Sequence, residues 1–230
     1  MRLLLLNPNT SLHITERLAA SARTELQPQD ELHTRTAQVG PSAIRSEAQA
    51  LEAAGRIVAM AQAHGPGHDA VLIGISLDCG LAAAQALLAP QPVIGMTQAA
   101  CQMTAAHGPK FGLLTLGASM APLYRAHVQA LGLDSSLTGI FAPDLPRAFE
   151  PGEPVMDEVV NALCAGAEAL LAQGAQSLVL AGAVLCGYSE VLQARLGCPV
   201  LDGMRCAVLQ ARARLAPDAN TASGDLLLKK

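Results

Sequence analysis

One offset constrains this chain more than any other feature. The segment Pro92-Val-Ile-Gly-Met-Thr-Gln-Ala returns in outline as Pro199-Val-Leu-Asp-Gly-Met-Arg-Cys-Ala, 107 residues later. A Cys-Gly pair stands upstream of each copy, Cys79-Gly80 and Cys186-Gly187, again 107 residues apart. The runs before them, Ala70-Val-Leu-Ile-Gly-Ile-Ser and Ser177-Leu-Val-Leu-Ala-Gly-Ala, correspond as well. Near the start, Arg2-Leu-Leu-Leu-Leu-Asn-Pro-Asn-Thr-Ser matches Lys110-Phe-Gly-Leu-Leu-Thr-Leu-Gly-Ala-Ser at an offset of 108. Matched segments at nearly one spacing are the mark of a duplicated unit. The chain is therefore expected to form two similar halves related by a pseudo-twofold axis. Residues 1–96 with the returning C-terminal stretch 204–230 make the first half, and residues 97–203 make the second.

Each unit reads as α/β. Short apolar runs at Leu3–Leu6, Glu31–Val39, Ala70–Ile75, Pro92–Met96, Phe111–Leu116, Leu137–Ala142, Ser177–Gly182 and Pro199–Leu201 predict strands. Helical patterns lie between them, near Ser11–Glu25, Ser46–Ala63, Gly80–Leu88, Gln98–His107, Met120–Leu131, Met156–Gln173, Ser189–Leu196 and Met204–Leu215. Most of the strands are apolar throughout rather than alternating, as parallel strands covered on both faces must be. Strict strand–helix alternation then implies two Rossmann-like parallel sheets with their ligand site in the cleft between them. The polar stretch from Pro217 is expected to be a loosely held terminus.

Composition removes several function classes. The chain has 15 basic and 19 acidic residues and no basic stripe, which gives nucleic acid no electrostatic purchase. There is no Trp, and only two Tyr and three Phe, so base-stacking platforms are not indicated. The apolar run Leu3–Leu6 ends at Asn7, too soon for a signal peptide, and no run is long enough to cross a bilayer. A cytoplasmic protein with no membrane or nucleic-acid partner is expected, acting on a small molecule and open to forming a homo-oligomer. Six cysteines in such a setting are expected to be reduced, and none has the spacing of a metal site.

The loops that follow parallel strands carry the candidate chemistry: Asn7-Pro-Asn-Thr-Ser11, Ser76-Leu-Asp-Cys-Gly80, Met96-Thr-Gln98, Thr115-Leu-Gly-Ala-Ser119 and the stretch 182–189. Asn7, Ser76, Thr97 and Thr115 are the candidate substrate-binding residues, since hydroxyls and amides at helix N-termini hold polar groups without fixed charge. Two equivalent halves around one cleft suit racemisation, in which a proton leaves one face of a carbon and another arrives at the opposite face. Cys79 and Cys186 are the cysteines that the repeat places symmetrically, each where a strand hands over to a helix, and they are the candidate acid/base pair. The alternative, two inert thiols at helix starts, stays open. Asn-Pro-Asn-Thr-Ser reads equally as a turn capped by Thr10 or Ser11, and Asp78 and Asp202 read as helix caps. Cys101, Cys164, Cys198 and Cys206 fall within apolar patterns and read as core, while His64, His68, His107 and His127 have no evident partner.

At this point the residues resemble a known family. Leu-Asn-Pro-Asn-Thr-Ser at 6–11, Asp78-Cys-Gly-Leu81, Pro92-Val-Ile-Gly-Met and Leu196-Gly-Cys-Pro-Val-Leu-Asp-Gly203 are similar to segments of the hydantoin and allantoin racemases in the aspartate/glutamate racemase superfamily. The likeness runs from Leu3 to about Leu215. It implies two Rossmann-like halves, no cofactor, and one cysteine from each half flanking the substrate carbon. Carried onto this chain, those cysteine positions fall on Ile75, or Gly74 with a one-residue shift, and on Gly182; Cys79 and Cys186 each lie four residues beyond. The leading expectation is a cofactor-independent racemase or epimerase of a small amino-acid derivative, hydantoin-like or an acidic amino acid. Two alternatives stand beside it. Gly74-Ile-Ser-Leu77 also resembles the arylmalonate decarboxylases, which would use Cys186 alone, and loss of both family cysteines fits a protein that binds without turnover.

Overall fold

The computed structural model describes residues 1–152 and 155–216. All eight expected strands and all eight expected helices are present. The first unit comprises β1 (Arg2–Asn7), α1 (Leu12–Arg23), β2 (Glu31–Thr36), α2 (Glu47–His64), β3 (Ala70–Ile73), α3 (Leu81–Leu88), β4 (Val93–Gly95) and α4 (Met96–Met103). The second repeats the series as β5 (Phe111–Leu114), α5 (Ala121–Ala130), β6 (Leu137–Phe141), α6 (Asp157–Ala172), β7 (Ser177–Leu180), α7 (Ser189–Leu196), β8 (Val200–Asp202) and α8 (Gly203–Leu215). The terminus expected to be loose lies outside the described residues.

The two sheets have one topology. Their strand orders are β2-β1-β3-β4 and β6-β5-β7-β8, and every pairing is parallel. Because side chains alternate across a strand, Leu3 and Leu5 of β1 join the core shared with α1 and the second unit. Leu4 and Leu6 join a second cluster with Ile57 and Ala61 of α2. All four leucines are fully buried, which is what the unbroken apolar run requires. The edge strands β2 and β6 keep partly exposed side chains, and β2 stops at Thr36 instead of Val39, whose side chain is in solvent.

The final helix of each unit lies against the opposite sheet. Helix α4 packs on β7 and β8, α8 packs on β3 and β4, and the two run against each other. This exchange locks the halves together with the carboxyl ends of both sheets facing a common cleft. Among the described residues no helix is long and apolar enough to cross a membrane.

Candidate functional site

The cleft encloses about 490 Å³, its open mouth included. Matching loops from the two units form its floor: Gly74, Ile75 and Ser76 after β3, and Gly182, Ala183 and Val184 after β7. Asn9 and Thr115 enter from the loops after β1 and β5, and Tyr124 enters from α5. At the mouth Phe149 of the second unit meets the loop after β2. The Arg45 guanidinium lies 4.1 Å from the Phe149 ring centre, and the Phe149 carbonyl accepts from His13 Nε2 at 3.1 Å. Among the described lining residues none carries a charge.

Asn7 does not line the cleft; it shapes the loop that does. Its buried amide nitrogen donates to Asn9 Oδ1 at 3.0 Å and Thr15 Oγ1 at 2.9 Å, and Asn9 Oδ1 in turn accepts from the Ser11 backbone N–H. The Asn-Pro-Asn-Thr-Ser motif is thus a side-chain-stabilised turn. Ser11 stands at the N-cap of α1, yet its hydroxyl does not cap the helix; it donates to the Ser42 carbonyl at 2.6 Å and ties down the loop after β2. Ser76 and Thr115 do line the cleft, and Ser76 Oγ bonds to the Tyr124 hydroxyl. Burial raises the Tyr124 phenol above its ordinary value, against the lowering influence of Ser76 and Thr115, so it meets a substrate as a neutral donor. Thr97 sits in the first turn of α4, fully buried and away from the cleft lining.

The two symmetric thiols stand behind the cleft. Neither is among its lining residues, whereas Ile75 and Gly182, four positions earlier, both are. Cys79 packs against the cluster that β1 and β3 form with α2, and burial together with the Asp78 carboxylate pushes its thiol up to about 11. Cys186 is 2 % exposed and lines a separate hollow between α1, α7 and α8. Burial, then the charge of Asp202 and the hydrogen bond to it, hold this thiol well above its ordinary value. As folded, both thiols are protonated at neutral pH and neither reaches the floor.

Two buried carboxylates organise the loops that carry these thiols. Asp202 caps α8, accepting from the Met204 and Arg205 N–H groups at 2.9 and 3.3 Å, and it also accepts from Ser21 Oγ at 2.7 Å and the Gly187 N–H at 2.8 Å. In the repeat its counterpart is Gly95, which has no side chain to offer. Asp78, from the loop after β3, fills that place: it accepts from the Thr97 and Gln98 N–H groups at 3.2 and 2.7 Å. A Cβ on Gly95 would lie 2.4 Å from Asp78 Cγ, so each helix start has room for one carboxylate, delivered from a different strand. Asp78 takes the left-handed conformation (φ 49°) to reach it, which Asp tolerates better than most residues. Its other partner is His127 of α5, whose Nε2 donates at 2.9 Å.

Sequence reasoning missed Tyr124, His127 and Asn9. The signal it had for the first two was a spacing of three along one helix, which places both on the face of α5 turned toward the first unit.

Two carboxyl-edge loops meeting over one uncharged cleft define a doubled parallel α/β protein with a small-molecule site between its halves. The comparisons narrow that class. The Asp/Glu/hydantoin racemase family model matches residues 3–211, and the chain belongs to that family. It is 30% identical to a hydantoin racemase of Paenarthrobacter aurescens over 224 residues, covering 94% of this chain and 92% of the relative. A hydantoin racemase of Rhizobium meliloti is 29% identical, with 94% and 89% covered. The structure of allantoin racemase from Klebsiella pneumoniae superposes with a TM-score of 0.84 at 29% identity, covering 93% of this chain and 86% of that one. Arylmalonate decarboxylase shares the fold at 16% identity and a TM-score of 0.68.

Proposed function

We propose that this chain is a cofactor-independent racemase or epimerase whose substrate is a small, uncharged cyclic derivative of an amino acid, of the hydantoin type. The observation that carries the reading is the full-length match to the racemase family on a chain whose two units meet over one cleft. The lining selects within the notion of a small amino-acid derivative. Aspartate and glutamate carry two carboxylates and an ammonium, for which the lining has no charged side chain; it offers hydroxyls, an amide and backbone groups. A cyclic imide fits such donors and acceptors, while Ile14, Ile44 and Phe149 suit an apolar ring substituent.

Racemisation breaks the C–H bond at the chiral carbon, leaves an enolate stabilised by the ring carbonyl, and returns a proton to the opposite face. Ser76 and Tyr124 would bind the carbonyl oxygen on which that charge develops. Cys79 and Cys186 are the proposed proton carriers, one from each unit. For that role the loops at 75–80 and 182–187 must rearrange by four residues, about one helical turn, so that the thiols replace Ile75 and Gly182 at the floor. A second reading is favoured by the present position of those two residues: a protein that binds such a ligand without turnover.

Proton NMR in deuterated buffer with 5-substituted hydantoins, allantoin and substituted malonates separates the readings. Loss of the ring C–H signal with appearance of the other enantiomer, abolished in Cys79→Ala and in Cys186→Ala, is the expected result. Full turnover in both variants overturns the two-thiol mechanism. Ligand-induced thermal stabilisation with no exchange favours binding alone, and carbon dioxide release from a malonate would replace racemisation with decarboxylation.

A further inference from the structure

Helix α5 belongs to the second unit, yet two of its side chains, one turn apart, hold the cleft loop of the first. Tyr124 Oη is bonded to Ser76 Oγ, and His127 Nε2 donates to Asp78 Oδ2 at 2.9 Å. Between these two grips the loop carries Ser76 into the cleft and passes through the left-handed turn at Asp78. The Asp78 side chain is fully buried, and that of His127 is 16% exposed. Nothing on α3, the helix that follows the loop, bonds the Asp78 carboxylate; its partners are the first turn of α4 and His127. The orientation of Ser76 and Tyr124 toward a ligand therefore depends on a contact that crosses from one unit to the other.

We propose that His127 is a positioning residue for the cleft: through Asp78 it sets the loop after β3, and so fixes the Ser76–Tyr124 hydroxyl pair where a substrate carbonyl is held. The proposal rests on the reading of the cleft as a substrate site. His127 touches no substrate itself. Its imidazole N–H supplies one charge-assisted hydrogen bond to a desolvated carboxylate, a contact worth more than a neutral one. Without it the carboxylate keeps the α4 N–H groups but loses its tie to α5, and Ser76 and Tyr124 are free to shift. Displacement of positioning groups by about 1 Å lowers turnover strongly.

The test uses His127→Leu, which removes the donor, and His127→Gln, which restores one. Both are made in a Tyr188→Phe background, where Tyr124 is the one remaining tyrosine and no Trp interferes. Acrylamide quenching of tyrosine fluorescence then reports Tyr124 alone. The expected result for His127→Leu is quenching raised at least about twofold and affinity for a 5-substituted hydantoin lowered about tenfold, with His127→Gln within about threefold of the parent in both. Where the protein turns the hydantoin over, kcat falls with His127→Leu and recovers with His127→Gln. If His127→Leu does not fold, His127→Ala replaces it with the same expectation. A folded donor-less variant with parental quenching and parental ligand affinity overturns the proposal, as does a glutamine variant no better than the leucine one. Quenching is read without substrate, so absence of turnover would refute the racemase reading while leaving this one to be decided by fluorescence.

Discussion

If the cleft is built for two-face proton transfer and lacks thiols at its floor, thiols placed there should create or raise the activity. The double variant Ile75→Cys/Gly182→Cys makes that change at two lining positions that the repeat relates at its offset of 107. Gly182 has φ 178°, extended backbone open to any residue, and an added Cβ meets only the Leu185 side chain, at 3.2–3.7 Å. A leucine tip yields by a few tenths of an ångström, and loss of glycine's freedom in the unfolded chain offsets part of the cost. Ile75 is 6 % exposed and borders the cleft, so trimming it to Cys removes buried methyl groups at a cost of about 1–2 kcal/mol. The double variant should therefore fold, with a melting temperature lowered by roughly 2–8 °C.

The gain in rate is of a different size. A positioned acid/base group contributes typically about 10²–10⁴-fold. Either single variant supplies one carrier, so it should exchange the ring proton for deuterium with retention of configuration. The double variant should couple exchange to inversion. Chiral chromatography of an enantiopure hydantoin, run beside NMR in deuterated buffer, reads both. A folded double variant that binds the hydantoin yet exchanges and inverts no faster than the parent would refute the placing of the reaction over these two residues.

Three further outcomes are expected. Gly95→Ala should be markedly destabilising in the parent and nearly neutral beside Asp78→Ala, because the new methyl meets the Asp78 carboxylate; a urea-denaturation cycle should give a coupling of about 1–2 kcal/mol. The Asp30 side chain is buried, which raises its carboxyl, but bonds from the N-terminal ammonium, the Gln27 N–H and Arg212 outweigh this and hold it at about 2, below the ordinary 3.8. Its stabilisation is present above that ordinary value and is lost as pH falls toward 2, so Asp30→Asn should flatten the acid limb of the urea midpoint between pH 4 and 2. Cys186 should resist iodoacetamide at neutral pH in the native protein and label fully in urea, as peptide mass spectrometry would report; rapid native labelling would contradict the thiol's burial and its bond to Asp202.

The elements were legible because their physics is local. A parallel strand covered on both faces must be apolar along its buried run, and Leu3–Leu6 of β1, all of β3 and β5, and residues 178–180 of β7 are. The duplication was legible because corresponding strands and helices keep one spacing. The thiols show where such reading stops. That Cys79 and Cys186 begin helices can be read from sequence, but the direction of each side chain depends on the turn before it. Asp78 and Gly80 are both left-handed, which swings Cys79 toward α2; Cys186 turns to a carboxylate sixteen residues downstream. Ser11 was a sound N-cap candidate by position, yet its hydroxyl found a stronger use in a loop thirty-one residues away. Tyr124 and His127 were missed for the same reason, since their partners lie 48 and 49 residues distant in the other unit.

The duplication also explains why the two loops cannot be chemically equivalent although their strands are. In the second unit the carboxylate at the helix start comes from the strand itself, at Asp202, and leaves the β7 loop free to place Gly182 at the floor. In the first unit that position is Gly95, so the carboxylate must come from the β3 loop, and the loop is drawn down at Asp78 to supply it. One loop is thus pinned by its own acid and by His127, while its counterpart is held at Gly187 by an acid belonging to another strand. A substrate lying between them meets one wall bearing Ser76, tied through Asp78 to His127, and another around Gly182, tied through Gly187 to Asp202.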